Sequence, residues 1–159
     1  MTTTVKRIPE GRESAVPYLS ISNAAQALEF YESAFGAVVA ERHNMPDGRI
    51  GHAEIRIGTA AVMLADEFPE MDFRSPTTLG GSPVGIHIYV EDVDALVARA
   101  EAAGAVVKRP PADQFYGDRA SSLVDPYGHS WFFATHVEDV TPEEMARRAA
   151  AAAECAPDA

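Results

Sequence analysis

An α+β domain is expected, with two tandem βαβββ modules folded as curved mixed sheets around a cavity and a helix at the C-terminus. Three observations point there. Residues 84–107, VGIHIYVEDVDALVARAEAAGAVV, restate residues 16–39, VPYLSISNAAQALEFYESAFGAVV. Each copy opens with alternating apolar and polar residues, the period of a strand buried on one face, and then changes to helical spacing. Each helical stretch ends at a glycine, Gly36 or Gly104, followed by Ala-Val-Val. A residue without a Cβ takes the left-handed conformation that stops a helix. The spacing of about 68 residues between those glycines is one long module used twice rather than the short period of a solenoid.

Taken in order, residues 1–14 are polar, carry Pro9 and Gly11 and read as a flexible N-terminal segment. A single domain is expected over 15–140, as modules 15–66 and 84–137 joined by a linker, 67–83. The first strand covers 16–22. Ser22 or Asn23 can cap the helix that follows, on which Ala24, Ala27, Leu28, Tyr31 and Phe35 share a face. A strand at 37–43, a Met-Pro-Asp-Gly turn at 45–48, the strand GHAEIRIG at 51–58 and a strand at 60–66 complete the first module. The linker holds three prolines and a Gly-Gly pair with no sustained period.

The second module repeats the order, with a strand at 85–90, a helix at 92–103 capped by Asp92, and a strand at 105–109. KRPPADQFYGD then reads as a loop, RASSLV as a strand, DPYG as a turn and HSWFFAT as the last strand. Thr141-Pro-Glu-Glu is a capping box with proline at the first helical position, so a helix is expected at 142–154 within a C-terminal segment, 141–159.

Composition narrows the classes of function. At 159 residues and 47% hydrophobic, the chain is long enough for one real core. The net charge of -11, with no Lys/Arg cluster, repels phosphate backbones and anionic lipid, which argues against nucleic acid as a partner. No apolar run approaches a membrane span and the first residues have no signal-type apolar core, so a cytoplasmic protein is expected. The single cysteine, Cys155, reads as an exposed thiol near the C-terminus. No phosphate loop, Ser-His-Asp arrangement or cysteine-based metal motif occurs.

The strand GHAEIRIG is the most informative for chemistry. Ala53, Ile55 and Ile57 share one face and must cover the helix, which leaves His52, Glu54 and Arg56 together on the other. Such a trio can bind a polar ligand, transfer a proton, or simply pair within a solvated face. Arg119 follows the FYGD loop and is placed near Asp118 or the cavity mouth; Tyr116 and Phe115 offer flat surfaces for an aromatic ligand. Trp131 has the parity of the core and His129 reads as a turn residue, whereas the spacing indicates no partner for His43 or His136.

The combination of the repeat, Phe30-Tyr31, Phe35-Gly36 and Asp125-Pro126-Tyr127-Gly128 resembles the glyoxalase, bleomycin-resistance and extradiol dioxygenase group, the vicinal oxygen chelate superfamily, over about residues 15–140. The closing segment is most similar to its PhnB-like branch. The resemblance implies two curved sheets around a cavity and a homodimer. In metal-dependent members it also implies four inward ligands, His, Gln or Glu, on the first and last strands of each module. Those positions fall at Val16, Leu64, Gly85 and Phe132, none of which can hold a metal, so no metal and no other cofactor is expected. If those positions point inward, Tyr18 and Ser20 face the cavity from the first module, and His87 and Tyr89 from the second.

The expected function is then metal-independent binding of a small molecule, such as an antibiotic or other planar compound, with Tyr18, His52, Arg56, Tyr89, Tyr116 and Arg119 as contacts and the acidic composition suited to a cationic guest. An acid/base isomerase, lyase or hydrolase using Glu54 and His87 is the alternative. A metalloenzyme with shifted ligands, among them His52, Glu54 or His87, is the third reading.

Overall fold

Within the first module the alternating stretch becomes β1 (Tyr18–Ile21) and the helically spaced stretch becomes α1 (Ala24–Phe35). This computed structural model describes residues 5–12 and 14–154. Asn23 is the cap, accepting from Gln26 N, and Gly36 ends the helix at φ 67°. Three strands follow: β2 (Val38–Asn44), β3 (Ile50–Ile57) and β4 (Ala60–Asp66). They form a sheet of order β1-β4-β3-β2, in which β1 pairs parallel with β4 and the other pairs are antiparallel. The parallel pair requires a crossover, and α1 supplies it.

The linker is partly ordered by hydrogen bonds. It contains a 3-10 turn (Pro69–Met71), an isolated Phe68–Phe73 bridge and a short helix, α2 (Pro76–Leu79), capped by Ser75. The second module repeats the first as β5 (Gly85–Tyr89), α3 (Val93–Ala102), β6 (Val106–Asp113), β7 (Asp118–Val124) and β8 (Ser130–His136), with sheet order β5-β8-β7-β6. A final helix, α4, spans Pro142–Glu154.

The boundary that differs most from the sequence expectation is the end of β6. β6 continues to Asp113 through Pro110 and Pro111, where a loop was expected. β6 is an edge strand, and its register is irregular between Arg109 and Ala112, the one setting in which a strand tolerates residues without N–H. Cys155 lies outside the described residues.

The core lies between the sheets and their two helices, and α1 packs directly on α3. Phe35 meets Phe133 at 4.9 Å and Trp131 at 5.0 Å between ring centroids, both edge to face. Trp131 is fully buried, as its parity indicated. Asp125, first residue of the DPYG turn, joins the modules. Its Oδ2 accepts from Tyr31 Oη of α1 at 2.7 Å and from Trp131 Nε1 at 2.8 Å, and its Oδ1 accepts from the amides of Tyr127 and His129 at 2.9 Å each. Burial first, then the Asp125 carboxylate, pushes the Tyr31 phenol well above its usual pKa.

The start of each crossover helix is tied to its sheet by a side chain from the last strand. Asp66 accepts from Ala24 N and Ile50 N, and Thr135 Oγ1 accepts from Val93 N. The bonds from Ala24 N and Val93 N satisfy helix N–H groups that have no partner within the helix.

Candidate functional site

The repeat leaves the edge strands β1 and β5 facing each other across a pocket of about 1030 Å³. Tyr18 and Ser20 of β1, Arg56 of β3 and His87 of β5 line it, while Phe73 and Arg74 of the linker stand over it and His129 lies at its base. The size is at the upper end for small-molecule sites.

Strand parity sets which side chains share the concave face of the first sheet. Leu19, Ile55 and Leu64 lie in the core under the helices, so Tyr18, Glu54, Arg56 and Met63 occupy the opposite, concave face. Tyr18 Oη lies 2.8 Å from His52 Nδ1, and the phenol's pKa is raised by burial. Phe73 meets the Tyr18 ring edge-on at 5.6 Å, which lays the linker across the pocket.

Glu54 is 2% exposed and held by two guanidiniums. Arg56 Nη2 contacts Oε1 at 2.9 Å, and Arg12 Nη2 contacts Oε2 at 2.5 Å, an ion pair whose angle lies outside hydrogen-bond geometry. Arg12 comes from residues 5–12, which the strand pattern does not reach, and no periodic signal marks it as part of the site. An arginine near an otherwise unpaired buried carboxylate is the only hint the sequence could have held.

In the second module His87 packs edge-on against Tyr89 at 5.1 Å. Tyr89 does not line the pocket. Its Oη donates to Asp118 Oδ2 at 2.6 Å, while His136 Nδ1 lies 2.8 Å from Asp118 Oδ1 and His136 Nε2 lies 3.0 Å from Asp139. Burial works to raise the Asp118 pKa, but the bonds from Tyr89 and His136 outweigh it and hold the carboxyl below its usual value. The same bonds, to Asp118 and then Asp139, raise His136. This polar cluster escaped the sequence reading because Asp118 was assigned to a loop; extending β7 back by one residue sets Asp118 opposite His136.

The remaining candidates lie elsewhere. Tyr116 sits on the β6–β7 turn against Phe115, at 5.2 Å, and does not line the pocket. Arg119 is on the helix side, not at the cavity mouth, where Asp94 of α3 takes its Nε at 2.6 Å and Asp113 its Nη1 at 3.0 Å. The reason is the alternation of β7, which sends Asp118 inward and its neighbour outward. Glu54 and His87 have different neighbours, the two arginines and Tyr89 respectively.

The side chains at the positions that metal-dependent relatives use do not fit a divalent ion. Leu64 is buried under the helix, one residue out of the inward register, so Met63 and Ala65 take its place on the concave face. Gly85 has the Phe132 ring folded over its α-carbon. Val16, Met63, Ala65, Gly85 and Phe132 carry no side-chain nitrogen or oxygen, and among the described residues no three His, Cys, Asp or Glu side chains group to hold a metal. No helix among the described residues is long and apolar enough to cross a membrane.

Comparison with known proteins agrees with this architecture. The uncharacterized protein Mb0911c of Mycobacterium bovis is 44% identical over 132 residues, 81% of this chain and 87% of that protein. The crystal structure of TioX from Micromonospora sp. ML1 superposes with a TM-score of 0.63 at 25% identity, over 81% of this chain and all of TioX. TnmS3 from Streptomyces sp. CB03234, described as an antibiotic binding protein, shares the fold with a TM-score of 0.58 at 21% identity, over 77% of this chain and 96% of its own. The Glyoxalase/Bleomycin resistance protein/Dioxygenase superfamily matches residues 16–133. With its repeated βαβββ sheets, the chain belongs to that superfamily.

Proposed function

We propose that this chain binds a small planar compound in the cavity between its modules, without a metal, and sequesters it. The cavity carries the reading: about 1030 Å³, walled by both modules, with Tyr18 and Phe73 as aromatic surfaces and Arg56 and His87 among its polar groups. TnmS3 has the same fold and is described as antibiotic binding, but at 21% identity the likeness extends to fold alone. Thermal-shift and calorimetric screening with planar aromatic compounds, antibiotics included, tests the proposal. Micromolar binding that Tyr18→Ala and Phe73→Ala weaken supports it; no binder across the panel refutes it.

The acid/base reading has less support, because both Glu54 oxygens face guanidiniums and Arg12 covers the carboxylate. Turnover that disappears in both Glu54→Gln and His87→Ala would reinstate it.

The proposal includes a homodimer and a cytoplasmic location. Val84, just before the edge strand β5, and Tyr89, at its end, are each more than half exposed, apolar surface that a second copy would cover. Light scattering coupled to size exclusion reads the mass, and a monomer at micromolar concentration refutes the dimer. Fractionation of expressing cells checks the location.

A further inference from the structure

An overall charge of -11 favours a cationic guest, but the pocket has a different local balance. Apart from histidines, the charged side chains on its lining among the described residues are Arg56, Asp72 and Arg74. Asp72 and Arg74 pair with each other at 3.3 Å. Arg56 remains, and its one carboxylate neighbour, Glu54, is shared with Arg12. Among the described residues, two guanidiniums thus share the buried Glu54 carboxylate, and of the two Arg56 is the one that lines the pocket.

Arg12 Nη1 is buried with no hydrogen-bond partner, and Glu54 Oε2 beside it makes no hydrogen bond either, so the pair is held by charge. Arg56 spends one nitrogen on Glu54, and its side chain is 40% exposed at the pocket, leaving N–H groups of the planar fork for a ligand. A further acid near Arg12 among the described residues is Glu41, opposite Glu54 on β2. Glu41 does not line the pocket, lies 2.6 Å from His43 Nε2 and is open to water, which screens it.

We propose that the pocket takes a planar organic anion such as an aromatic carboxylate, with the anion on Arg56 and the ring against Tyr18 and Phe73. Arg12 touches no ligand; it is a positioning residue that neutralises Glu54 and so frees Arg56. Carboxylate suits this place because guanidinium presents parallel N–H groups that match its two oxygens. The inference rests on the small-molecule reading above.

The test uses three probes of one shape and different charge: 1-naphthoate, 1-naphthamide and 1-naphthylmethylammonium, titrated by calorimetry at low salt. Naphthoate is expected to bind about tenfold more tightly than the amide, with the ammonium weakest. Arg56→Gln should level the three affinities while amide binding survives. Arg12→Gln should weaken naphthoate about tenfold, Arg12→Lys should restore it, and in a Glu54→Gln background Arg12→Gln should have little effect. The Lys rescue and the Glu54 background separate a charge effect from a folding defect. An ammonium probe that binds as well as naphthoate, or equal losses from Arg12→Gln and Arg12→Lys, overturns the inference and leaves small-molecule binding intact. If none of the three binds at millimolar concentration, the small-molecule reading falls and the inference with it.

Discussion

Tyr31→Phe removes one oxygen from the junction of the two modules, and its cost can be worked from the geometry. The phenol is fully buried and donates to Asp125 Oδ2 at 2.7 Å. After the substitution Oδ2 keeps the Trp131 Nε1 donor at 2.8 Å and Oδ1 keeps two amides, so the carboxylate is not orphaned. The loss is one buried bond to a charged acceptor, about 1.5–3 kcal/mol, with almost no cavity. For a chain of this size that lowers Tm by roughly 4–8 °C. Urea denaturation of the single variant, of Asp125→Asn and of the double variant supplies the assay. Asp125→Asn should cost more, because its NH2 end then faces donors whichever way it turns, either the phenol and indole or the two backbone amides. Once Asp125 is changed, Tyr31→Phe should cost well under half its value in the parent. A loss below about 0.5 kcal/mol for Tyr31→Phe, or strictly additive losses, would refute the claim that this bond holds the modules together.

Gly85→Ala places a Cβ in the Phe132 ring, so unfolding free energy should drop by about 1–3 kcal/mol, and a Phe132→Ala background should abolish that cost. Gly117 has φ 95°, and its added Cβ would meet the Glu138 carbonyl; Gly117→Ala should cost about 1–3 kcal/mol and speed hydrogen exchange at Val137 and Glu138, whose amides donate to Gly117 O. Burial lowers the pKa of His129 below 6.5, so the unfolded chain takes up this proton first and stability falls as pH drops through about 6.5. His136 is raised by Asp118 and Asp139, so its contribution is present below about pH 6.5 and is lost as pH rises through the higher folded value. Melts from acid to alkaline pH should therefore flatten on the alkaline side in His136→Gln and not in His129→Gln; identical profiles for the two variants would contradict the opposite signs.

The legible part of this protein is periodic. Alternation in VPYLSIS and VGIHIYV and helical spacing before Gly36 and Gly104 were enough to place both modules, because each apolar side chain had to leave water on a regular face. The same alternation put His52, Glu54 and Arg56 on one side of β3, where they stand. Single-residue offsets were less secure. The expected inward place of Leu64 was wrong by one, and Asp118 was left in a loop, since a strand's parity reverses with each residue of error.

Contacts between distant parts of the chain had no periodic signature. Arg12 reaches Glu54, Tyr31 reaches Asp125 and Phe73 crosses to Tyr18 only because the modules and the linker close on one another. The alternation of β7 turns Arg119 away from the cavity, but that its partner is Asp94 depends on α3 packing over that face. Local pattern assigns a side chain to a face by its need for water or burial, whereas its charge partner depends on which remote segment is packed over that face. For Glu54, that segment set the difference between a free carboxylate and a neutralised one.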